Sequence, residues 1–589
     1  MLALVLAAGA AAGQGVSPEE VDLLAASLRP EGRAELLGNA APIAQLPVSE
    51  VQAELDPKTA RLEGQLRLVV RNREALPWNE VVLRAYPNAG KGRTSLRVEE
   101  VRVDGKRVAV RAHGTVIAVP AEVAPGASVA ISLAFHGQLR RLRDGDDDPL
   151  AAAAGMLSQL APGLAPSSGK QRSDGGYGTF AVGAHGAALV DWYPQLAARA
   201  HGVWDRDEPG SIGDVGHADP GSAVVALTVP KGWRVAGAGS ALGQHPAGLA
   251  KETATFAAAG VRGALGLAAS PEYDELTEQT PGVLLRASSM HGEAGARLLL
   301  TCARAAMQSL QARFGPYPWT SLALAEVSLT GGAGGVELPG LALMAQALSP
   351  RAPGSLSPPG MFDFTCYHEV AHQWWQGVVG SDPRRAPWVD EALAQYSAVL
   401  VTEDAKGKEA GDQALSTFVA LNYHGMRMAH LADGRVARPA DDFHSPLAYA
   451  GLVYGKAPLF FARARERMGN ARFDAASRAY RQAWAFREAG PEGWLAAARR
   501  TDPEHADELS ELQRRWWQEK HGDEDVGQVD GLALMDALGG GGNGFAQLLR
   551  GLQGSGSGGE AEVREALKQL EKLMPELSRM WEEPEPNSP

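Results

Sequence analysis

The sequence predicts an α+β protein of several domains, with a strand-rich first part and a helical second part. Its 589 residues exceed the usual size of one domain, and 45% of them are hydrophobic, enough for more than one packed core. From about residue 51 to 256, apolar and polar residues alternate with the period of strands. From about residue 298 to 520, apolar residues mostly recur with the period of helices.

The strand-rich part is predicted from short alternating segments that are separated by turn residues. Asp104-Gly105 is a two-residue hairpin signal, so it predicts that Leu96–Val103 pairs with Val108–Val110. Because the alternation leaves one face of each strand polar, we expect an antiparallel sheet with a solvated outer face. The other predicted strands are Val51–Leu55, Leu62–Val70, Val129–Phe135 and Val224–Val229.

The second part is predicted to begin with a long helix. Its apolar residues span Leu298–Leu310, and Gly315 followed by proline is a typical helix end. Leu322–Val327 is predicted to be a buried strand, since it is a short apolar run after turn residues. Helical patterns then dominate residues 361–520.

Both ends of the chain are predicted to lie outside the folded domains. Residues 1–15 are small and apolar, with Ala-x-Ala patterns typical of a secretory signal, and are too short to span a membrane. We therefore expect a secreted or periplasmic protein; a cytoplasmic one stays open because no Lys or Arg precedes this run. Residues 522–589 are glycine-rich and are predicted to form a flexible linker and an accessory helix.

Charge and cysteine content exclude several kinds of partner and site. The formal net charge of −13 argues against nucleic acid or an anionic membrane surface as a partner. No other segment has the apolar length that an integral membrane span needs. Two cysteines, Cys302 and Cys366, are too few for a disulfide framework or a thiolate zinc site. We expect both to be buried thiols, and a single bridge between them stays open, as does the oligomeric state.

One helical run carries residues suited to binding a metal. His368 and His372 are four positions apart, so on a helix both imidazoles face the same side and can bind one Zn²⁺. Glu369 lies beside this pair, where it can take a proton from the water that the metal activates. The helix is expected to end at Gly377. The alternative is a core helix with two hydrogen-bonded histidines.

A third ligand distinguishes these interpretations. Catalytic zinc that is bound by two histidines usually takes a carboxylate as the third ligand and leaves the fourth position open. Glu391 lies in a second helical pattern, after the polar turn at residues 381–385. Two antiparallel helices joined by this turn would bring Glu391 against His368 and His372. The sequence therefore predicts one Zn²⁺ per chain, held by these three residues.

The same residues carry a resemblance to a known family. The runs HEVAHQWW (368–375) and WVDEALAQY (388–396), with eighteen residues between His372 and Glu391, resemble segments of the gluzincin aminopeptidases, the aminopeptidase N family. Thermolysin-like endopeptidases share the HExxH motif but space the third ligand differently. Asp390, Ala392 and Leu393 depart from the family pattern without removing a ligand.

The resemblance implies two further site residues. Glu337, in Gly-Gly-Val-Glu-Leu, falls on the glutamate of the family's GxMEN loop, which binds the substrate's α-ammonium; Leu338 replaces the asparagine. Tyr454, in Tyr-Gly-Lys-Ala, falls on the tyrosine that donates a hydrogen bond to the developing oxyanion. Tyr449 is a nearby competitor, but it lacks the following x-Lys.

For the whole chain, the resemblance covers about residues 45–520. It implies an N-terminal antiparallel β saddle over 45–270 and a thermolysin-like zinc catalytic domain with a helical extension over 271–521, without the long helical C-terminal domain of many members. The implied activity is that of a zinc aminopeptidase acting on peptides. Two alternatives stay open: a zinc endo- or oligopeptidase on the same site, which Leu338 would favour, and a non-catalytic binding module.

Overall fold

The computed structural model describes residues 15–527, except 91–92, 144, 147–176, 211, 353–354, 356 and 430. The predicted accessory helix and all but the last residue of the predicted signal segment lie outside the described residues. The described chain is an α+β protein whose buried apolar side chains form one continuous core from Leu24 to Trp517. No helix in this part of the chain is long and apolar enough to cross a membrane.

The first part of the described chain consists of two short helices followed by many strands. The helices are α1 (Pro18–Ala25) and α2 (Pro30–Asn39). The strands are β1 (Val48–Asp56), β2 (Arg61–Arg71), β3 (Trp78–Arg84), β4 (Ser95–Val103), β5 (Lys106–Arg107), β6 (Arg111–His113), β7 (Val116–Val123), β8 (Ser128–Gln138), β9 (Arg140–Arg141), β10 (Phe180–Val182), β11 (Ala187–Leu189), β12 (Gln195–Leu196), β13 (Arg199–Ala200), β14 (Val203–Trp204), β15 (Pro220–Pro230), β16 (Arg234–Gly237), β17 (Ser240–Pro246), β18 (Lys251–Arg262) and β19 (Leu267–Ser270).

These strands form an eight-stranded sheet in the order β17-β18-β15-β1-β2-β8-β4-β5, with smaller sheets packed beside it. Neighbouring strands of the large sheet are antiparallel with one exception, since β1 pairs with β15 in parallel, Val48 lying opposite Ser222. The prediction of a purely antiparallel domain is wrong at this pair. A parallel pair needs a long crossover connection, which local alternation along the sequence does not reveal.

The predicted hairpin at Asp104-Gly105 is present, but its second strand is shorter and lies elsewhere. Both residues have the positive φ that a two-residue hairpin turn requires, 48° and 78°. The strand that pairs with β4 is Lys106–Arg107, not Val108–Val110. The chain leaves the sheet here because β6 joins a different sheet, beside β7.

The second part opens with a five-stranded sheet and the helices packed against it. Their bounds are β20 (Asp274–Thr280), β21 (Val283–Ser289), α3 (Gly292–Phe314), β22 (Ser321–Val327), β23 (Gly335–Leu338), β24 (Leu341–Ala345), α4 (Met361–Ala371), β25 (Val379–Gly380) and α5 (Trp388–Lys406). The predicted long helix and buried strand are confirmed as α3 and β22. The sheet order is β20-β21-β22-β24-β23, so β23 is an edge strand, and α4 packs against both β23 and α5.

Helices make up most of the remaining described chain, as predicted. They are α6 (Lys408–Ala414), α7 (Leu421–Met428), α8 (Pro446–Tyr449), α9 (Ala457–Met468), α10 (Asn470–Trp484), α11 (Gly493–Thr501), α12 (Ala506–Gln513) and α13 (Gly522–Asp525), with the short strand β26 (Arg487–Glu488). The π-helical turns Leu415–Ala420, Ala450–Lys456 and Arg514–Gln518 connect some of them.

His217 joins the strand-rich part to the helical part. Its Nδ1 lies 3.2 Å from Asp205 Oδ2, and its Nε2 lies 2.7 Å from Glu488 Oε2, on β26. Burial acts to lower the pKa of His217, but hydrogen bonds to the two carboxylates prevail and raise it to about 9. The imidazole is therefore charged at neutral pH and donates from both nitrogens.

The raised pKa of His217 predicts pH-dependent stability. The ordinary histidine value is 6.5, so the ion pairs contribute fully below that pH and are lost as the pH rises through about 9. At pH 6 we expect His217→Gln to lower the free energy of unfolding by roughly 2 kcal/mol, a value discounted because Glu488 is partly exposed. Chemical denaturation at pH 6 and pH 10 tests this; an equal effect at both pH values would contradict it.

Candidate active site

The helix that carries the two predicted histidine ligands is α4. It ends at Ala371 with His372 as its C-cap, so the predicted end at Gly377 is wrong. The chain turns tightly after His372, and the Gly377 N–H donates to the His372 carbonyl at 2.9 Å. This turn places the Trp375 carbonyl 2.9 Å from His372 Nδ1, a contact that an extended helix would not allow. The hydrogen bond holds the ring and leaves Nε2 for a metal.

Three buried ligand atoms meet at one point between α4 and α5. The Nε2 atoms of His368 and His372 are 3.1 Å apart, and Glu391 Oε2 lies 3.3 Å from each. Zinc bonds of about 2.0–2.1 Å at tetrahedral angles separate ligand atoms by about 3.3 Å. The two nitrogens and the carboxylate oxygen therefore fit Zn²⁺ in both kind and spacing, as the sequence predicts.

The charges of this triangle also suit a cation. Burial acts to raise the pKa of Glu391, but contacts with both imidazoles hold it well below its ordinary value. The carboxylate is thus ionised and faces the two ring nitrogens. Burial lowers the pKa of His368, which favours the neutral ring that a metal requires. Burial acts in the same direction on His372, but the Glu337 and Glu391 carboxylates raise its pKa well above the ordinary value, so a metal that binds there displaces a proton.

Glu369 lies beside the triangle, against the edge strand β23. A side chain at Gly335 would place its Cβ 2.5 Å from the Glu369 carboxyl carbon, so only glycine fits at this point of the strand. Oε2 of Glu369 is buried and has no hydrogen-bond partner among the described residues. Burial raises the pKa of Glu369 to about 8, and a bound dication would act in the opposite direction.

The structure brings Glu337 to the same site. Glu337 and Gly335 are two residues apart on β23, so both face α4. Burial raises the pKa of Glu337 to about 8; the charge of His372 acts to lower it, and that of Glu391 to raise it. Because Gly335 lies against Glu369, the Glu337 side chain two residues along the strand faces the same site.

Gln373 fixes the position of this strand, and the sequence analysis missed it. Its Oε1 accepts from the Gly340 N–H at 2.7 Å, and its Nε2 donates to the Leu338 carbonyl at 3.0 Å. Gln373 follows the second histidine directly, so the strand that carries Glu337 is bonded to the segment that carries the metal ligands. The Leu338 side chain points away and packs near Gly266.

Tyr454 also reaches the site, from a π-helical turn. Its hydroxyl donates to Glu391 Oε1 at 2.6 Å, leaving Oε2 for the metal. Burial raises the pKa of Tyr454 well above its ordinary value, so the hydroxyl keeps its proton. The ring of the competing Tyr449 lies 5.8 Å from that of Tyr454, so this second tyrosine is also near the site.

The strand-rich part supplies a carboxylate that the sequence analysis missed. Burial raises the pKa of Asp214 well above its ordinary value, and the charges of Glu337 and Glu391 add to this. Burial and the Asp214 charge also raise the pKa of Tyr177. Gly213 allows this approach, since a Cβ there would lie 3.1 Å from the Tyr449 hydroxyl. No motif surrounds Asp214, so only the folded chain reveals it.

No protein-family model matches the sequence, and no curated protein matches it. Solved structures do match. An M1 zinc metallopeptidase from Deinococcus radiodurans aligns with 80% of this chain and 94% of its own, at 19% identity and a TM-score of 0.54. A mutant of an M1 zinc metallopeptidase from that organism, bound to a Tyr-Ser-Ala substrate, aligns over the same shares at 18% identity and a TM-score of 0.55. At these identities the likeness establishes the fold, and the chain therefore has the fold of the M1 zinc metallopeptidases.

Proposed function

We propose that this protein is a zinc aminopeptidase that removes N-terminal residues from peptides. The observation that carries the proposal is the buried triangle of His368, His372 and Glu391, which fits zinc, with the Glu369 and Glu337 carboxylates on the same side of the edge strand. The fold shared with M1 zinc metallopeptidases supports it. We extend the proposal to a β saddle over residues 45–270 and a thermolysin-like catalytic domain over 271–521.

The proposed chemistry uses each residue for one task. When bound, Zn²⁺ polarises the scissile carbonyl and makes water acidic enough to react near neutral pH. Glu369 takes the proton of the attacking water and passes it to the leaving amine. The Tyr454 O–H donates to the carbonyl oxygen as it gains negative charge.

Glu337 and Asp214 form the proposed site for the substrate's α-ammonium. Burial raises the pKa of both carboxylates, and the charge of Glu337 raises that of Asp214 further. An ammonium group between them supplies the missing positive charge and forms charge-assisted hydrogen bonds. It also places the first peptide bond at the metal, which is how an exopeptidase selects that bond.

The decisive experiment compares a short peptide with its N-acetylated copy. Zinc-loaded protein should remove residues from the free peptide one at a time, whereas the acetylated copy should be cut roughly 10–100-fold more slowly, because it lacks the charge that the carboxylates bind. Glu337→Ala should slow cleavage of the free peptide and reduce this discrimination. Mass spectrometry of the products over time gives both results.

Other outcomes would favour the alternatives. Internal cuts that are indifferent to acetylation would indicate an endo- or oligopeptidase on the same residues. No cleavage of a varied peptide panel by zinc-loaded protein would indicate a binding module, and the proposal would be wrong.

The Tyr454 hydroxyl should act on the transition state rather than on substrate binding. We expect Tyr454→Phe to lower kcat by about 10²-fold or more with little change in KM. Tyr449→Phe is the matched control and should have a much smaller effect, because its hydroxyl lies against Gly213. The reverse order of the two variants in steady-state kinetics would mean that Tyr449 fills this role.

A further inference from the structure

A cavity extends from the proposed ammonium site into the strand-rich part of the protein. Its free volume of about 80 Å³ is enough for several ordered waters. Glu337 and Asp214 line one side of it, and Asp191 also lines it. The apolar residues of its wall include Val190, Val336 and Leu338. A peptide whose ammonium group is held by Glu337 would therefore have this cavity beside its first side chain.

Asp191 is a carboxylate without a counter-charge. Its Oδ1 accepts from Gln195 Nε2 at 2.5 Å, and no cation among the described residues lies within 4 Å of it. Burial raises its pKa to about 6, with only the Gln195 hydrogen bond opposing this. The side chain is partly accessible despite its depth, since it faces the cavity. A half-buried carboxylate with one neutral partner is stabilised by a further hydrogen-bond donor, which here can come from the cavity.

The neighbours of Asp191 leave room for that donor. A Cβ at Gly216 would lie 2.6 Å from Asp191 Oδ2, so glycine there keeps this oxygen uncovered. Gln195 is 4% exposed, and its Oε1 has no hydrogen-bond partner in the described part of the chain. This atom lies 3.0 Å from the Cβ position of Gly263, which lines the cavity. Asp191 Oδ2 is therefore the acceptor that stays open to the cavity, because Gln195 Oε1 is inaccessible.

Two cations also line the cavity, but neither presents a free donor to it: His217 is bonded to Asp205 and Glu488, and Arg262 is buried. Arg262 lies against Gly380, and its Nε and Nη2 are inaccessible and without a hydrogen-bond partner among the described residues. Burial lowers its pKa, while the charges of Asp219 and Glu488 act to raise it. Its remaining nitrogen, Nη1, donates to the Ala218 carbonyl at 3.4 Å, so the charge that a substrate can reach in this cavity is negative.

We propose that the cavity receives the side chain of the substrate's first residue and that Asp191 makes lysine or arginine preferred there. The inference rests on the proposed aminopeptidase function, because Glu337 must hold the ammonium group for that side chain to enter. The apolar wall suits the methylene groups of a basic side chain, and the Asp191 carboxylate accepts a hydrogen bond from its charged end.

The test compares lysyl and norleucyl anilides, which differ mainly in the terminal ammonium group. Zinc-loaded wild-type protein should show a kcat/KM for the lysyl substrate about 10–100-fold above that for the norleucyl one. Asp191→Asn should reduce this ratio at least about tenfold, since asparagine tolerates the φ of 51° found here and can still accept from Gln195. Asp412→Asn is the matched control and should keep the ratio, because Asp412 is exposed on α6 and pairs with Lys408.

A second variant and a binding measurement cover the case in which Asp191→Asn does not fold. Gly216→Ala crowds Oδ2 without removing the carboxylate, so it should also lower the ratio. Calorimetry with lysine amide and norleucine amide should show the same preference in binding to the wild-type protein.

Three outcomes would overturn the inference. Equal cleavage of lysyl and norleucyl substrates would remove Asp191 from recognition while leaving the aminopeptidase intact. Preference for glutamyl over glutaminyl substrates that is lost in Arg262→Gln would assign the cavity to acidic residues. If no anilide is cleaved, the proposed function is wrong. In that case the calorimetry still tests Asp191, because equal binding of lysine amide and norleucine amide would reject its role.

Discussion

A Glu369→Gln variant is expected to retain its zinc and to lose at least about 10³-fold in kcat/KM, the upper range for a general base. Glutamine has the shape of glutamate, which matters because Gly335 leaves no room for a larger group. It cannot accept a proton, so the attacking water would lose its base. Metal analysis measures the zinc content, and a peptide-cleavage assay on the same preparation measures kcat/KM.

Asp363→Asn is a matched control for this variant. Asp363 lies in the first turn of the same helix and pairs with Lys406, away from the metal triangle. This change should leave cleavage within about twofold of the wild type, as expected for a substitution remote from the site. Full activity of Glu369→Gln protein freed of contaminating peptidases would show that another group is the base.

A His372→Ala variant is expected to lose its metal. In the proposed site its imidazole is one of three protein ligands, and the Trp375 carbonyl, 2.9 Å from Nδ1, holds the ring in place. Removing a residue that only hydrogen-bonds to a metal ligand typically lowers the affinity for the metal about 10–100-fold. Because His372→Ala removes a ligand itself, we expect the zinc affinity to fall by at least about 10³-fold. Elemental analysis after dialysis should show about one zinc per wild-type chain and nearly none in the variant.

Thermal unfolding provides a second readout for the same variant. A metal that binds only the folded state stabilises it, so a chelator should lower the Tm of the wild type and leave that of His372→Ala unchanged. His245→Ala, on the exposed part of β17, should behave as the wild type. Equal zinc content in His372→Ala and wild-type protein would show that the metal binds elsewhere.

The arrangement of the proposed metal ligands could be predicted from the sequence because helical spacing fixes it almost completely. His368 and His372 are one turn apart on a single helix, so their relative position needs no knowledge of the fold. The position of Glu391 follows from one further assumption, that the next helix runs antiparallel to the first. Glu337 and Tyr454 are not close in sequence to the histidines, so their place in the site was predicted from the family resemblance.

The rest of the site depends on contacts between distant segments. Asp214 and Asp191 come from the strand-rich part, and only the packing of its sheets beside β23 brings them to the cleft. The parallel pairing of β1 with β15 was missed for the same reason. Helix α1 could have been found, since Ser17 and Glu20 form a capping box whose pattern is visible in the sequence.

The double hydrogen bond of Gln373 has a consequence for how many residues leave at each cut. The segment that ends the metal helix and the strand that holds Glu337 are joined directly, not through an adaptable loop. If Glu337 binds the amine as proposed, the distance between that amine and the reacting carbonyl is constant, whatever peptide is bound. A protein built in this way should release single amino acids throughout the degradation of a peptide and should not yield dipeptides as its length changes.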